Sequence, residues 1–85
     1  MRIHDIKCDE PFYSSVLTGK KSFELRKDDR NYQVGDYLHL QKTKDGEVID
    51  VTENLVAEII YKLTGYEGLA DGYCILGIRV RDICT

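Results

Sequence analysis

An α+β fold, mainly β, is what this chain of 85 residues predicts: a small antiparallel β-barrel with one early helix and at most one further short helical turn. Three observations predict it. Apolar and polar residues alternate in five or six short runs, Gly-Asp and Asp-Gly pairs punctuate them, and one segment alone carries helix-boundary residues. A chain this short, with 42% hydrophobic content, buries a single core, so residues 1–85 are read as one domain. Closing the sheet into a barrel would also remove exposed strand edges.

The elements follow in order. Ile3, Ile6 and Cys8 among Arg2, His4, Asp5 and Lys7 make an imperfectly alternating first strand. "DEPFYSSVLTG" then places Pro11 near a first helical position, Asp9 and Glu10 where carboxylates suit a helix N-terminus, and Gly19 just past the end. A helix of about two turns results, with Phe12, Tyr13, Val16 and Leu17 on one core-facing stripe. From Ser22 the period is two, so Phe23 and Leu25 are expected to anchor a strand whose polar outer face holds Ser22, Glu24 and Arg26.

Val34-Gly35-Asp36 reads as a tight turn before the alternating "YLHLQKT". "KDGE" at 44 to 47 is a hairpin turn, because Asp-Gly readily supplies the positive φ of a two-residue connection, and "VIDV" would complete the hairpin. "NLVAEIIYKLTG" fits a helical stripe as well, but its β-branched and aromatic content and its place after a hairpin favour a strand. "GYEGLADG" is a glycine loop with at most one helical turn, and "YCILGIRVRDI" is the closing strand.

Charge narrows the function classes. A formal net charge of -3 argues against binding duplex nucleic acid by bulk attraction, which needs a broadly basic face. Any anion site must be local. Lys20, Lys21, Arg26, Lys27 and Arg30 supply five of the twelve basic residues within eleven positions, against Glu24, Asp28 and Asp29. Cys8, Cys74 and Cys84 are odd in number and lack C-x-x-C spacing, so neither a disulfide framework nor a zinc site is expected, and a reducing cytoplasm fits. The N-terminal residues lack an apolar signal region and the apolar runs are too short to span a bilayer. We expect no membrane partner, metal or cofactor.

"GKKSFELRKDDR", residues 19 to 30, is the segment with chemistry in it. Strand geometry puts Glu24 and Arg26 on one face roughly 7 Å apart between Cα atoms, and an Arg fork beside a carboxylate suits a planar polar ligand or a phosphate. The helix end delivers Lys20 and Lys21 beside them. A solvated, salt-bridged strand is the alternative that charge pattern alone favours. His4 and His39 have no metal-ligand spacing and read as surface histidines. No nucleophile elbow, G-x-G-x-x-G or phosphate-loop pattern is present. Of the six tyrosines, Tyr32 in the charged loop and Tyr66 and Tyr73 beside the glycine loop are candidates to stack a base.

Gly19, Lys21, Glu24 and Arg26 match the G-x-K-x-x-E-x-R signature of ASCH domains in the PUA-like superfamily, and the chain resembles the small bacterial and phage ASCH-like proteins of unknown function over nearly its whole length. The resemblance implies a PUA-like β-barrel with the early helix beside a cleft, and a role in RNA binding or RNA-related chemistry. Lys21, Glu24 and Arg26 would line the cleft. Lys20, Lys27, Arg30 and Tyr73 are added as RNA-binding candidates on physical grounds or from the narrower subfamily pattern. One enzymatic branch, the acetylcytidine amidohydrolases, uses a lysine, a threonine and a distant glutamate; here Glu24 stands at the threonine position, so Ser22 would have to supply the hydroxyl.

The sequence therefore leaves a leading expectation and two rivals. The first is an RNA-binding or modified-nucleotide-binding module with a polar cleft between helix and barrel. The second is a small hydrolase acting on a modified nucleoside amide or RNA through Lys21 and Glu24, with Ser22 or a water. The third is a contact surface for a host or partner protein.

Overall fold

A computed structural model describes residues 1–84, the side chain of Cys84 excepted. It is α+β and mainly β. Strands β1 (Ile3–Asp9), β2 (Phe23–Lys27), β3 (Tyr37–Lys44), β4 (Glu47–Val48), β5 (Asn54–Thr64) and β6 (Tyr73–Cys84) accompany one helix, α1 (Phe12–Leu17). The sheet runs β1-β3-β5-β6-β2, with the short β4 pairing with β3.

Most sequence expectations have a local cause that survives folding. In the β3–β4 hairpin Asp45 and Gly46 both take positive φ, as an Asp-Gly two-residue connection requires. Pro11 is the N-cap of α1 and has no side chain to cap with; Glu10, one residue earlier, meets a free first-turn donor instead, its carboxylate accepting from the Ser14 N–H at 2.7 Å and the Ser14 hydroxyl at 2.6 Å. Asp9 instead turns to the hairpin, where it accepts from the Thr43 hydroxyl and the Gly46 N–H. Residues 54–64 are a strand, as their β-branched content indicated.

The fold departs from the expected barrel in two ways. β1 pairs with β3 in parallel, because α1 and β2 intervene and return the chain to the start of the sheet. β1 and β2 are the two ends of the sheet and do not pair, so the sheet curls into a half-barrel with a seam between them. Residues 65–72 form the expected glycine loop, successive turns with no helical turn; Gly65, Gly68 and Gly72 all adopt positive φ, which a right-handed helix cannot accommodate.

One core fills the inside of the curl. Leu38 and Leu40 of β3, Leu55, Ala57 and Ile59 of β5, and Cys74 and Leu76 of β6 have no exposed surface. α1 closes one end by burying Tyr13 and Val16, with Leu17 packed at the margin. Phe12 leaves the expected stripe and is 54% exposed, since a helix of six residues presents too narrow a face to bury four large side chains. His4, expected at the surface, and Tyr32, a candidate to stack a base, are both buried: their rings meet edge to face at 4.8 Å, and His4 Nε2 lies 3.0 Å from an Asp36 carboxylate oxygen. Asp36 also accepts from the Arg2 and Gln33 N–H groups, and these three contacts, the His4 contact first, hold its carboxyl below the usual carboxylate range.

Candidate functional site

The site begins with a reversal on β2. The polar residues were expected outside and Phe23 and Leu25 inside; instead Glu24 is 4% exposed while Phe23 and Leu25 are 46% and 55% exposed. The reason is register. β2 pairs antiparallel with β6 so that Glu24 stands opposite Leu76 and Arg26 opposite Cys74, and cross-strand partners point to the same side of a sheet. Leu76 and Cys74 face the core, so Glu24 and Arg26 face inward too.

A buried carboxylate is costly unless its charge is met by partners. Lys21, in the connection between α1 and β2, places Nζ 2.6 Å from one Glu24 oxygen, and Arg26 Nε donates to the other at 3.1 Å. Each oxygen therefore has its own cation. The Lys21 ammonium also lies 5.0 Å from the centre of the Phe23 ring and 5.8 Å from that of Phe12, within range of an attractive ring-face contact. This triad forms part of the wall of an open depression of about 440 Å³, whose rim carries Phe12, Phe23 and Leu25 and whose remaining wall is Cys8 and Asp9. The volume lies in the range of small-ligand sites, about 300–1,000 Å³.

The lining balances in charge, Lys21 and Arg26 against Asp9 and Glu24. Asp9 is held below the usual carboxylate range, first by the Thr43 hydroxyl and then by the Gly46 N–H, so it stays ionised and already occupied. Cys8 Sγ lies 4.0 Å from Glu24 Oε1, and its pKa is pushed up to about 11, by burial first and by the Glu24 charge second. The lining therefore holds paired donors and acceptors with no net charge and an unreactive thiol.

The triad also closes part of the seam. Arg26 Nη2 donates to the Lys7 carbonyl, and Arg30 Nη1 donates to the Asp5 carbonyl at 2.6 Å, so two arginines from the β2 side satisfy acceptors on the unpaired edge of β1. Arg26 thus reaches both Glu24 and the opposite strand, which fixes its fork across the mouth.

The other predicted site residues are not gathered here. Lys20 and Lys27 are exposed; Lys27 shares the outward face of β2 with Phe23 and Leu25. Ser22 precedes β2, is exposed, and lines a second depression with Ile60 and Arg79; this shares Lys21 with the depression that holds Glu24 but does not include Glu24. Tyr73 stands outward opposite Lys27 and lines a third depression with Leu25 and Leu69; Tyr66 is exposed, while Tyr32 is unavailable for stacking because it is buried. His39 bridges Asp5 and Asn54, and no group of histidine, cysteine and acidic residues with metal-binding geometry occurs among the described residues. No helix among them is long and apolar enough to cross a membrane.

Phe12, Phe23, Leu25, Cys8 and Asp9 are the site residues that sequence reasoning missed. For Phe12 a signal existed, since a helix bounded by Pro11 and Gly19 is too short to bury every apolar residue. For Phe23 none existed, because alternation defines two faces without naming the inner one.

Comparison with known proteins places this arrangement in a family. The model of a domain of unknown function, DUF3850, matches residues 3–78. An uncharacterized 12.9 kDa protein in the GpA 3′ region of Escherichia phage P2 is 44% identical over 45 residues, a match that covers 53% of this chain and 41% of the phage protein. The match thus spans less than half of that relative.

Proposed function

The chain belongs to the DUF3850 family, and we propose that its cleft between α1 and β2 binds a nucleotide or a segment of single-stranded RNA. The observation that carries this reading is the buried Glu24, held by Lys21 and Arg26 in an open depression rimmed by Phe12 and Phe23. A neutral wall of fixed donors and acceptors beneath aromatic edges suits an uncharged planar base, which would hydrogen-bond to the spare donors of Lys21 and Arg26 and stack at the rim. Phosphates belong outside, where Lys20, Lys27 and Arg30 lie exposed. The ASCH-like signature is consistent with this reading, and under it the half-barrel is a PUA-like domain.

The hydrolase alternative has less support. Ser22 lies in a different depression, and the Cys8 thiol stays protonated at neutral pH. The lining then offers Lys21 and Glu24 only as each other's partners.

Titrating uridine and adenosine monophosphates into the isotope-labelled protein tests the reading. Amide shifts should concentrate at Phe12, Lys21, Phe23 and Glu24, and Lys21→Ala with Arg26→Ala should abolish them. For short RNA, two or three outer phosphate contacts predict a slope of log K against log salt of about −1.4 to −2. Shifts elsewhere, or binding indifferent to the double substitution, would overturn the reading.

A further inference from the structure

The same register that turns Glu24 inward turns a second set of side chains out. Phe23, Gly77 and Tyr61 form one row across β2, β6 and β5; Leu25, Ile75 and Leu63 form the next; Lys27 and Tyr73 form the third. Tyr61 is 62% exposed, and Phe23, Leu25 and Tyr73 are also exposed. Gly77 contributes to this geometry: a Cβ there would come within 3.1 Å of Tyr61 Cβ, so a bare backbone at 77 lets Tyr61 lie close against β6. Below it, Leu25, Leu69 and Tyr73 line a depression of about 280 Å³.

A cation stands at each end of this apolar face. Lys27 ends it on one side and Arg79, the next outward residue of β6 after Gly77, ends it on the other. Both are exposed and neither makes an ion pair among the described residues. No carboxylate stands in the three rows, and Glu58, opposite Arg79, is engaged by Arg81 at 2.6 Å. In a protein of net charge -3, aromatic rings between unpaired cations are complementary to a chain of planar bases joined by phosphates.

We propose that the outward face of β5, β6 and β2 is a stacking platform for single-stranded RNA, with Phe23, Tyr61 and Tyr73 contacting bases and Lys27 and Arg79 contacting phosphates. It rests on the nucleotide reading of the cleft in choosing a nucleic acid over other anionic polymers. The two surfaces are continuous, since Phe23 and Leu25 also line the cleft. A strand leaving the cleft would cross the edge of β2 directly onto the platform.

Fluorescence anisotropy with an eight-nucleotide oligouridylate and an eight-nucleotide oligothymidylate, beside uridine monophosphate, tests this. The oligouridylate should bind fivefold or more tightly than the mononucleotide, and tighter binding of the oligothymidylate would overturn RNA as the occupant. Tyr61→Ala and Tyr73→Ala should each weaken the oligomer about fivefold or more, the lower bound for one stacked base, and leave the mononucleotide unchanged. Both tyrosines are exposed, so circular dichroism should show an intact fold. Loss of mononucleotide binding with tyrosine-sensitive oligomer binding retained would sink the cleft reading and keep the platform. Oligomers no tighter than the mononucleotide, or indifferent to both tyrosines, would overturn the platform. So would a concentration-dependent dimer dispersed by Leu25→Glu with oligomer affinity unchanged, which would make the face a protein interface.

Discussion

Glu24→Gln isolates the energetics of the ion triad. The Glu24 side chain is 5% exposed, and those of Lys21 and Arg26 are 18% and 28% exposed. The amide keeps the shape of the carboxylate but supplies only one acceptor, so one cation must face N–H donors, and two partly buried cations lose their counter-charge. Breaking a fully buried pair from one side costs about 3–5 kcal/mol; the residual water contact of the two cations reduces this to about 2–3 kcal/mol. A domain of this length has about 4–13 kcal/mol in total, so the variant remains folded. Its melting temperature should fall by about 10–20 °C. With a urea dependence of about 1 kcal/mol/M, the unfolding midpoint should fall by about 2–3 M.

Removing all three charges together, by Lys21→Met, Glu24→Leu and Arg26→Met, should recover at least half of that loss, because no uncompensated charge remains. Equilibrium unfolding followed by circular dichroism reads both variants. A midpoint for Glu24→Gln within about 0.5 M of the parent protein would refute the argument that the carboxylate is held by its buried partners.

Three further outcomes follow from the same geometry. Arg26→Lys removes the fork that reaches both Glu24 and the Lys7 carbonyl, so it should cost about 1–2 kcal/mol and accelerate hydrogen exchange in β1 more than in β5 and β6; uniform exchange rates would deny the seam contact. Cys8, with its thiol raised to about 11 and buried, should resist iodoacetamide at pH 8 in the folded chain and react in urea, as peptide mass mapping would show; rapid native labelling would contradict a closed cleft wall. The Asp36 carboxyl is depressed on folding, so its stabilisation is present above the unfolded value near pH 4 and lost as pH falls through the folded value. Urea unfolding from pH 6 to pH 3 should therefore show a shallower acid decline in Asp36→Asn, and an unaltered slope would place the acid sensitivity elsewhere.

The sequence by itself determined what depends on neighbours along the chain. Asp45-Gly46 closes its hairpin through two positive φ angles, and the β-branched run of residues 54–64 forms a strand despite its helical periodicity. The Lys21, Glu24 and Arg26 grouping was also legible, since residues 24 and 26 must share a face whichever way β2 turns. What only the tertiary structure decided is the direction of that face. Alternation with period two is unchanged when a strand is turned over, so Phe23 and Leu25 read equally well as anchors or as surface. Pairing of Glu24 with Leu76 and Arg26 with Cys74 broke the tie, because side chains opposite one another in a sheet point to the same side. The same pairing put a carboxylate in the core, where it requires two cations, and put aromatic rings in solvent. The parallel β1–β3 contact and the arginine-bridged seam arose likewise from contacts distant in sequence, which local pattern does not encode.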